Sequence, residues 1–134
     1  TSTRSRTGFP EYQVSKLANV LFSAELDRRL HGNDSPASAS KICSYSLHPG
    51  VVATDVWREV PHLLRGFMKL FMISSEEGAA TTVHCATDPQ CAGQSGLYYD
   101  RCAPKTPSAI AQDPELARAL WEHSSRWAQI ELSL

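Results

Sequence analysis

The sequence lacks the features that mark several large functional classes. Its 134 residues carry a net charge of -1, with no excess of the basic residues that bind nucleic acid, so we expect no nucleic-acid partner. The four cysteines form no C-x-x-C pair, which argues against a zinc ribbon or a thioredoxin-like motif. The five histidines have no metal-ligand spacing such as H-E-x-x-H. We therefore expect free thiols, structural histidines and no bound metal.

Glycine-rich turns and long apolar runs are also missing. The seven glycines are scattered, and none forms G-x-x-x-G-x-G after a strand, the kind of turn that holds a pyrophosphate at the N-terminus of a helix. The longest apolar-rich segment, His62 to Ile73, is interrupted by Arg65 and Lys69 and is too short to span a bilayer. These residues therefore predict neither a transmembrane helix nor a dinucleotide phosphate site.

The first part of the sequence predicts a long helix followed by a short strand. After a polar leader at 1–9, helical spacing of apolar residues predicts a helix at 10–31, with Gly32 suited to a left-handed C-cap. A short apolar run within 42–50 ends in Pro49-Gly50 and predicts a buried, central parallel strand. The apolar face of the helix is predicted to contain Val14, Leu17, Ala18, Leu21 and Ala24.

The second half of the chain predicts further helices and one strand. Residues 54–73 are amphipathic and are divided by a proline into two short helices. Ser74 and Glu77 have the capping-box spacing that starts another helix, a last strand is expected at 96–99, and Asp113 precedes a helix that begins with a proline. The predicted faces contain Ala80, Val83, His84 and Thr87 in the first of these helices, and Leu116, Leu120, His123 and Trp127 in the second.

This alternation of helices and strands predicts an α/β fold with a parallel sheet covered by helices. Only two strands are clear, however, and a two-stranded parallel sheet leaves both of its edges open. We therefore expect residues 1–134 to form one partial domain, with the remaining strands absent from the chain or supplied by another copy of it.

Tyr12 and Lys16, in the stretch YQVSK, are spaced for chemistry. Residues four apart on a helix project to the same side, and a cation close to a phenol stabilises its phenolate form. Such a tyrosine can exchange a proton with a carbonyl or alcohol oxygen while a hydride moves at the carbon. The same spacing also occurs by chance on solvated helix faces, so the pair alone leaves both interpretations open.

A longer pattern is more specific than this pair. The helix YQVSKLANVLFSAELDRRL, a strand, and then LHPGVVATDV resemble the short-chain dehydrogenase/reductase family, in its retinol dehydrogenase-like branch. EEGAATTVHCA and SGLYYD extend the likeness over most of the chain after Phe9. The resemblance implies the C-terminal part of a Rossmann-type, doubly wound parallel sheet, without its N-terminal nucleotide-binding half.

The resemblance also implies roles for individual residues. Tyr12 would be the general acid/base, and Lys16 would stabilise its phenolate, while Ser15 would lie beside them without a catalytic role. The HPG turn would follow its strand at the sheet edge where ligands bind, although an isolated Pro-Gly would indicate only a tight turn. The residues implied to contact the nicotinamide, its ribose or its carboxamide are Lys16, Pro49, Gly50, Val51 and Thr54.

Residues 54–73 correspond in this resemblance to a substrate lid. Its side chains predict an apolar substrate, but they would equally suit packing on the body of the domain. A third interpretation is that this amphipathic stretch rests on a membrane surface. The lid residues are Trp57, Leu64, Phe67, Met68 and Phe71.

The implied function is oxidation and reduction of small apolar alcohols and carbonyl compounds, with NADP or NAD as cofactor. The glycine-rich turn, an asparagine-alanine-glycine turn and a substrate-polarising serine would belong to the missing half, so we expect the chain alone to be inactive. Free thiols favour a reducing compartment, so we expect a cytoplasmic location, and the resemblance leaves open membrane attachment through an upstream segment.

An alternative belongs to a different class of protein. The chain could be an inactive remnant that serves as an interaction module and forms a homodimer. Its contact surface would then be the LFSAEL face of the first helix, with Leu17 and Leu21.

Overall fold

A computed structural model of the protein describes residues 9–32, 41–50 and 74–130. In this part of the chain, no helix is both long enough and apolar enough to cross a bilayer. Short 3-10 helices at Pro89–Cys91 and Ala109–Gln112 precede the second strand and the last helix. The main elements are α1 (Phe9–His31), β1 (Ser46–His48), α2 (Ser75–Thr87), β2 (Tyr98–Asp100), β3 (Ala103–Pro104) and α3 (Pro114–Ala128).

The strands form a small mixed sheet in the order β1-β2-β3. β1 and β2 are parallel, with Leu47 opposite Tyr99, so the predicted parallel pairing is confirmed. Within the described sheet, however, β1 lies at an edge and β2 is central, because β3 pairs antiparallel with β2 in a tight hairpin. Helices and parallel strands together make this an α/β arrangement.

The β2-β3 hairpin was not predicted from the sequence. Its two turn residues, Arg101 and Cys102, have φ angles of 52° and 59°, whereas glycine or asparagine usually occupies such left-handed positions. The backbone N–H of Cys102 donates a hydrogen bond to the Thr81 hydroxyl over 3.2 Å. This contact ties the turn to α2.

Helix α1 agrees with its predicted bounds but differs from the prediction in its face and its end. Val14 is exposed, while Leu21 and Leu30 are buried. Gly32 does not adopt the predicted left-handed conformation, because it is not among the described glycines that have a positive φ angle. Instead its N–H donates to the Arg28 carbonyl over 2.8 Å, and a Cβ on Gly32 would come within 2.5 Å of that oxygen.

The packing of α1 on α3 is centred on one tryptophan. Trp121 is only 4% exposed, and its ring stacks on Phe22 with 4.7 Å between the centroids. The Arg29 guanidinium lies 4.9 Å from the centre of the same ring. Glu25 is buried beside this stack and forms ion pairs with both Arg28 and Arg29. An aromatic stack and a buried carboxylate therefore fix the second half of α1.

Both predicted N-caps are confirmed. The Ser74 hydroxyl accepts from the Glu77 N–H, and the Glu77 carboxylate accepts from the Ser74 N–H, which completes the capping box at α2. The Asp113 carboxylate accepts from the backbone N–H groups of Glu115 and Leu116, the first two that α3 has after its initial proline. These bonds satisfy donors that have no partner within their helices.

The predicted faces of α2 and α3 are partly wrong. In α2 the buried side is formed by Gly78, Thr81 and Cys85, and in α3 it is formed by Ala117 and Trp121. Small residues let a helix approach its neighbours closely. The prediction from the sequence looked for large apolar side chains and therefore missed these small buried residues. The predicted face residues that are exposed instead are Ala80, Val83, Thr87, Leu116, His123 and Trp127.

A polar seam joins α1 to the loops that precede β1 and β2. The Ser23 and Ser44 hydroxyls lie 2.8 Å apart, and the Ser44 N–H donates to the Ser95 hydroxyl over 2.9 Å. Gly96 follows with φ of 77°, and a Cβ there would collide with the carboxylate of Asp27. The turn at Gly96 starts β2 two residues later than predicted and brings α1 close to the sheet.

Candidate active site

Tyr12 and Lys16 lie in the exposed first half of α1. The Lys16 ammonium is 5.2 Å from the centre of the Tyr12 ring, so the predicted projection to one side of the helix is confirmed. Tyr12 is 58% exposed, and its phenol is accessible in the described structure. The Ser15 hydroxyl donates to the Tyr12 carbonyl over 2.7 Å, which turns Ser15 back onto its own helix.

The carboxyl ends of the two parallel strands, β1 and β2, lie side by side at the same end of the sheet. His48 is opposite Asp100 in the register, and Pro49 and Gly50 follow His48 directly. Gly50 has φ of 81°, a conformation that favours glycine. The predicted Pro-Gly turn therefore lies at the sheet edge where open α/β folds bind ligands.

A second lysine lies close to this edge. Lys105 forms an ion pair with Asp100 over 2.6 Å. Hydrogen bonding to Lys105 lowers the pKa of Asp100, and the same bond raises the pKa of Lys105. Lys105 and Lys16 also line a single cavity of about 360 Å³, together with Tyr98 and Thr106. There is thus space beside Lys16 for a polar group that could accept its hydrogen bonds.

The remaining predicted site residues lie outside the described residues. Pro49 and Gly50 are placed by the structure, but their predicted neighbours on the cofactor are not. These neighbours are Val51 and Thr54. The predicted lid residues also lie outside the described residues, and they are Trp57, Leu64, Phe67, Met68 and Phe71.

A cluster that sequence reasoning missed lies between α2 and β2. The Nε2 atom of His84 is 3.5 Å from the Cys91 sulfur, and Nδ1 of the same ring is 3.2 Å from the Asp88 carboxylate. Cys91 packs in the core with Cys85 and Tyr99. Its sequence signal is the spacing H-x-x-x-D-x-x-C, which puts an acid and a thiol within seven residues of a histidine.

Burial governs the titration of this cluster. It raises the pKa of Tyr99 to about 12, and it also raises the pKa values of Tyr45 and Cys85. The Tyr99 hydroxyl donates to the Gln94 side chain over 2.8 Å. All four cysteines of the chain are free thiols, as predicted, and the described residues contain no group of three or more acidic, histidine or cysteine side chains suited to a metal ion.

The α/β arrangement, with a Y-x-x-x-K helix packed on the first of two parallel strands, is compatible with a dehydrogenase. No family model matches the sequence. Known relatives do match it: the WW domain-containing oxidoreductase of Danio rerio is 41% identical over 121 residues, which cover 88% of this chain and 28% of that protein. The human protein of that name is 40% identical over 90% of this chain and 28% of its own length.

A retinol dehydrogenase is also similar. Human retinol dehydrogenase 14 is 36% identical over 119 residues, which cover 84% of this chain and 33% of that protein. These relatives are short-chain dehydrogenases/reductases, and the chain belongs by sequence to this family. It spans about a third of the length of the relatives it matches.

Proposed function

We propose that these residues form the C-terminal part of an NAD(P)-dependent oxidoreductase that interconverts alcohols and carbonyl compounds on a Rossmann-type sheet. The observation that carries this proposal is the Tyr12 and Lys16 pair, which shares one side of α1, with a cavity beside Lys16. The names of the relatives, oxidoreductase and retinol dehydrogenase, support the same chemistry.

In this proposal Tyr12 moves the proton and Lys16 controls its charge. During reduction, the Tyr12 hydroxyl donates its proton to the carbonyl oxygen, and during oxidation the phenolate accepts the proton of the alcohol. The Lys16 ammonium, 5.2 Å from the ring centre, stabilises the negative charge that the phenol then carries. A bound nicotinamide would supply or accept the hydride at the substrate carbon.

The described residues fit the nicotinamide end of NADP or NAD. Lys16 has ammonium donors for ribose hydroxyls and a cavity beside it, and the left-handed Gly50 presents no side chain at the turn that would face the ring. Pro49 would lie beside Gly50 on the same turn, with Val51 and Thr54 next to the ring and its carboxamide. The glycine-rich pyrophosphate turn is missing from the sequence, so we expect these 134 residues alone to be inactive.

The proposed substrate is a small apolar alcohol or its carbonyl product, such as a retinoid. This choice depends on the apolar side chains of residues 54–73 and on the name of the retinol dehydrogenase relative. Substitution of Phe67 or Phe71 by serine should then raise KM for a long apolar aldehyde more than for a short one.

The decisive experiment substitutes Tyr12 in the complete product of the reading frame that contains these residues. Tyr12→Phe should lower kcat for carbonyl reduction by at least about 100-fold, the usual contribution of a general acid. It should change the free energy of unfolding by less than about 0.5 kcal/mol, because the side chain is exposed.

Ser15→Ala is the matched control on the same turn of the helix, and it should retain the parent activity. Parent-like activity of Tyr12→Phe would remove Tyr12 from the mechanism. A complete product that oxidises no alcohol and reduces no carbonyl compound with either cofactor would contradict the proposed function itself.

The alternative of a dimerising module has less support. Leu21 is buried within the chain, and Phe22 already stacks on Trp121 of α3. Much of the LFSAEL face is therefore covered by the same chain.

A further inference from the structure

The histidine between Cys91 and Asp88 has both ring nitrogens engaged. Nδ1 lies 3.2 Å from the Asp88 carboxylate, and Nε2 lies 3.5 Å from the Cys91 sulfur. An ionised carboxylate can only accept hydrogen bonds, so it holds the proton of a neutral imidazole on Nδ1. Nε2 is then left as an acceptor that faces the Cys91 thiol.

This arrangement can activate a thiol. A thiolate is the reactive form of cysteine, and a nucleophile beside a base that is oriented by a third group is the usual arrangement for producing it. His84 can take the Cys91 proton through Nε2, and the imidazolium that results is stabilised by Asp88. The side chains of His84 and Asp88 are partly exposed, at 23% and 33%, so they can exchange that proton with water.

A second thiol lies next to the first. Cys85 packs with Cys91 and Tyr99 in one buried cluster. Cys85 also lines a cavity of about 600 Å³ that Asp88 and Pro89 share. Cys85 and not Cys91 lines this cavity, and Cys91 is only 2% exposed, so a small reagent would reach Cys91 more readily than a bulky one.

We propose that Cys91 and Cys85 form a dithiol site that is oxidised by small hydroperoxides, with His84 as the base. The Cys91 thiolate attacks one peroxide oxygen, the O–O bond breaks, and Cys91 becomes a sulfenic acid while the other oxygen leaves as water or alcohol. The Cys85 sulfur then attacks the sulfenic sulfur, an S–S bond forms, and water leaves. Two thiols are oxidised and one peroxide is reduced.

The test uses hydrogen peroxide on the full 134-residue chain, followed by alkylation of the remaining thiols and tryptic digestion. Cys85 and Cys91 fall in the single tryptic peptide 70–101, while Cys43 and Cys102 fall in two others. At an equimolar amount of peroxide, peptide 70–101 should lose two hydrogens and escape alkylation, and the other two cysteines should be alkylated. Preferential oxidation of Cys43 or Cys102 would overturn the proposal.

Variants separate the base from the thiols. Asp88→Asn preserves a side-chain oxygen for the cap on the Gln90 N–H but removes the charge that orients His84, and His84→Gln removes the base. Both should slow disulfide formation, the latter by at least about tenfold, on the scale of a general base.

Cys85→Ser should leave Cys91 as a sulfenic acid that a 1,3-diketone probe captures. Cys102→Ser, which changes an exposed thiol, is the matched control and should react at the parent rate. An unchanged rate in both Asp88→Asn and His84→Gln, or no capture in Cys85→Ser, would contradict the proposal.

Discussion

The two halves of α1 differ in what surrounds them. The first half carries Tyr12 and Lys16 and is mostly exposed, whereas eight of the ten residues from Leu21 to Leu30 are buried or half-buried. One continuous helix thus has a part that is fixed by packing and a part that is accessible to other molecules. The position of the proposed acid/base Tyr12 therefore depends on contacts at residues 22–30, which lie about three to five turns further along the helix.

The largest test of this comparison removes the support of the second half. Trp121→Ala deletes the ring on which Phe22 and Arg29 pack, and a buried tryptophan truncated in this way costs about 3–5 kcal/mol. Urea unfolding followed by circular dichroism would measure the loss. Trp127→Ala removes the same side chain from the same helix where it is 81% exposed, and should cost less than about 0.5 kcal/mol. Equal losses in the two variants would mean that α3 does not fix α1.

A smaller effect is expected from the buried carboxylate. Glu25→Gln removes the charge that pairs with Arg28 and Arg29, and an unsatisfied buried polar group costs about 1–3 kcal/mol. Thermal unfolding at neutral pH would detect this loss. Glu115→Gln changes an exposed carboxylate that pairs with Arg118 and should have little effect, because exposed ion pairs contribute little. A Glu25→Gln protein as stable as its parent would show that packing alone fixes the second half.

The smallest effect concerns the start of α3. Asp113→Ala removes the side chain that accepts from the N–H groups of Glu115 and Leu116, and loss of an N-cap costs about 1 kcal/mol. Asp113→Asn should recover most of this loss, because an amide oxygen can also cap a helix. If alanine and asparagine were equally destabilising in urea unfolding, the charge and not the hydrogen bonds would hold this end of α3.

The N-termini of α2 and α3 were the most predictable part of the fold. Ser74 with Glu77, and Asp113 with Pro114, carry local signals that depend on few neighbours, and both caps are confirmed. The buried faces were less predictable because they include Ser23, Glu25 and Ala117. A polar residue of this kind can acquire its burial from a partner distant in the sequence, as Ser23 does from Ser44. The β2-β3 hairpin was missed because its turn residues are not those that favour a left-handed backbone.

The candidate site was predictable in the same uneven way. The Tyr12 and Lys16 spacing follows from helix geometry, and the Pro49-Gly50 turn follows from its strand. The contact between His84 and Cys91 could not be read as a site from composition, since it needs a helix end and a 3-10 turn to bring the two side chains together. The roles of Val51, Thr54 and the lid residues remain predictions.

Gly96 has a consequence for natural variation in this protein. The space that a Cβ would need at residue 96 is taken by the carboxylate of Asp27, so a side chain at residue 96 would have to displace that of residue 27, 69 residues away in the chain. A residue with a side chain at 96 would require a shorter or displaced one at 27 and would still bear the cost of its left-handed backbone. Inheritance at these two sites should therefore be paired, and glycine at residue 96 should persist wherever aspartate at residue 27 does.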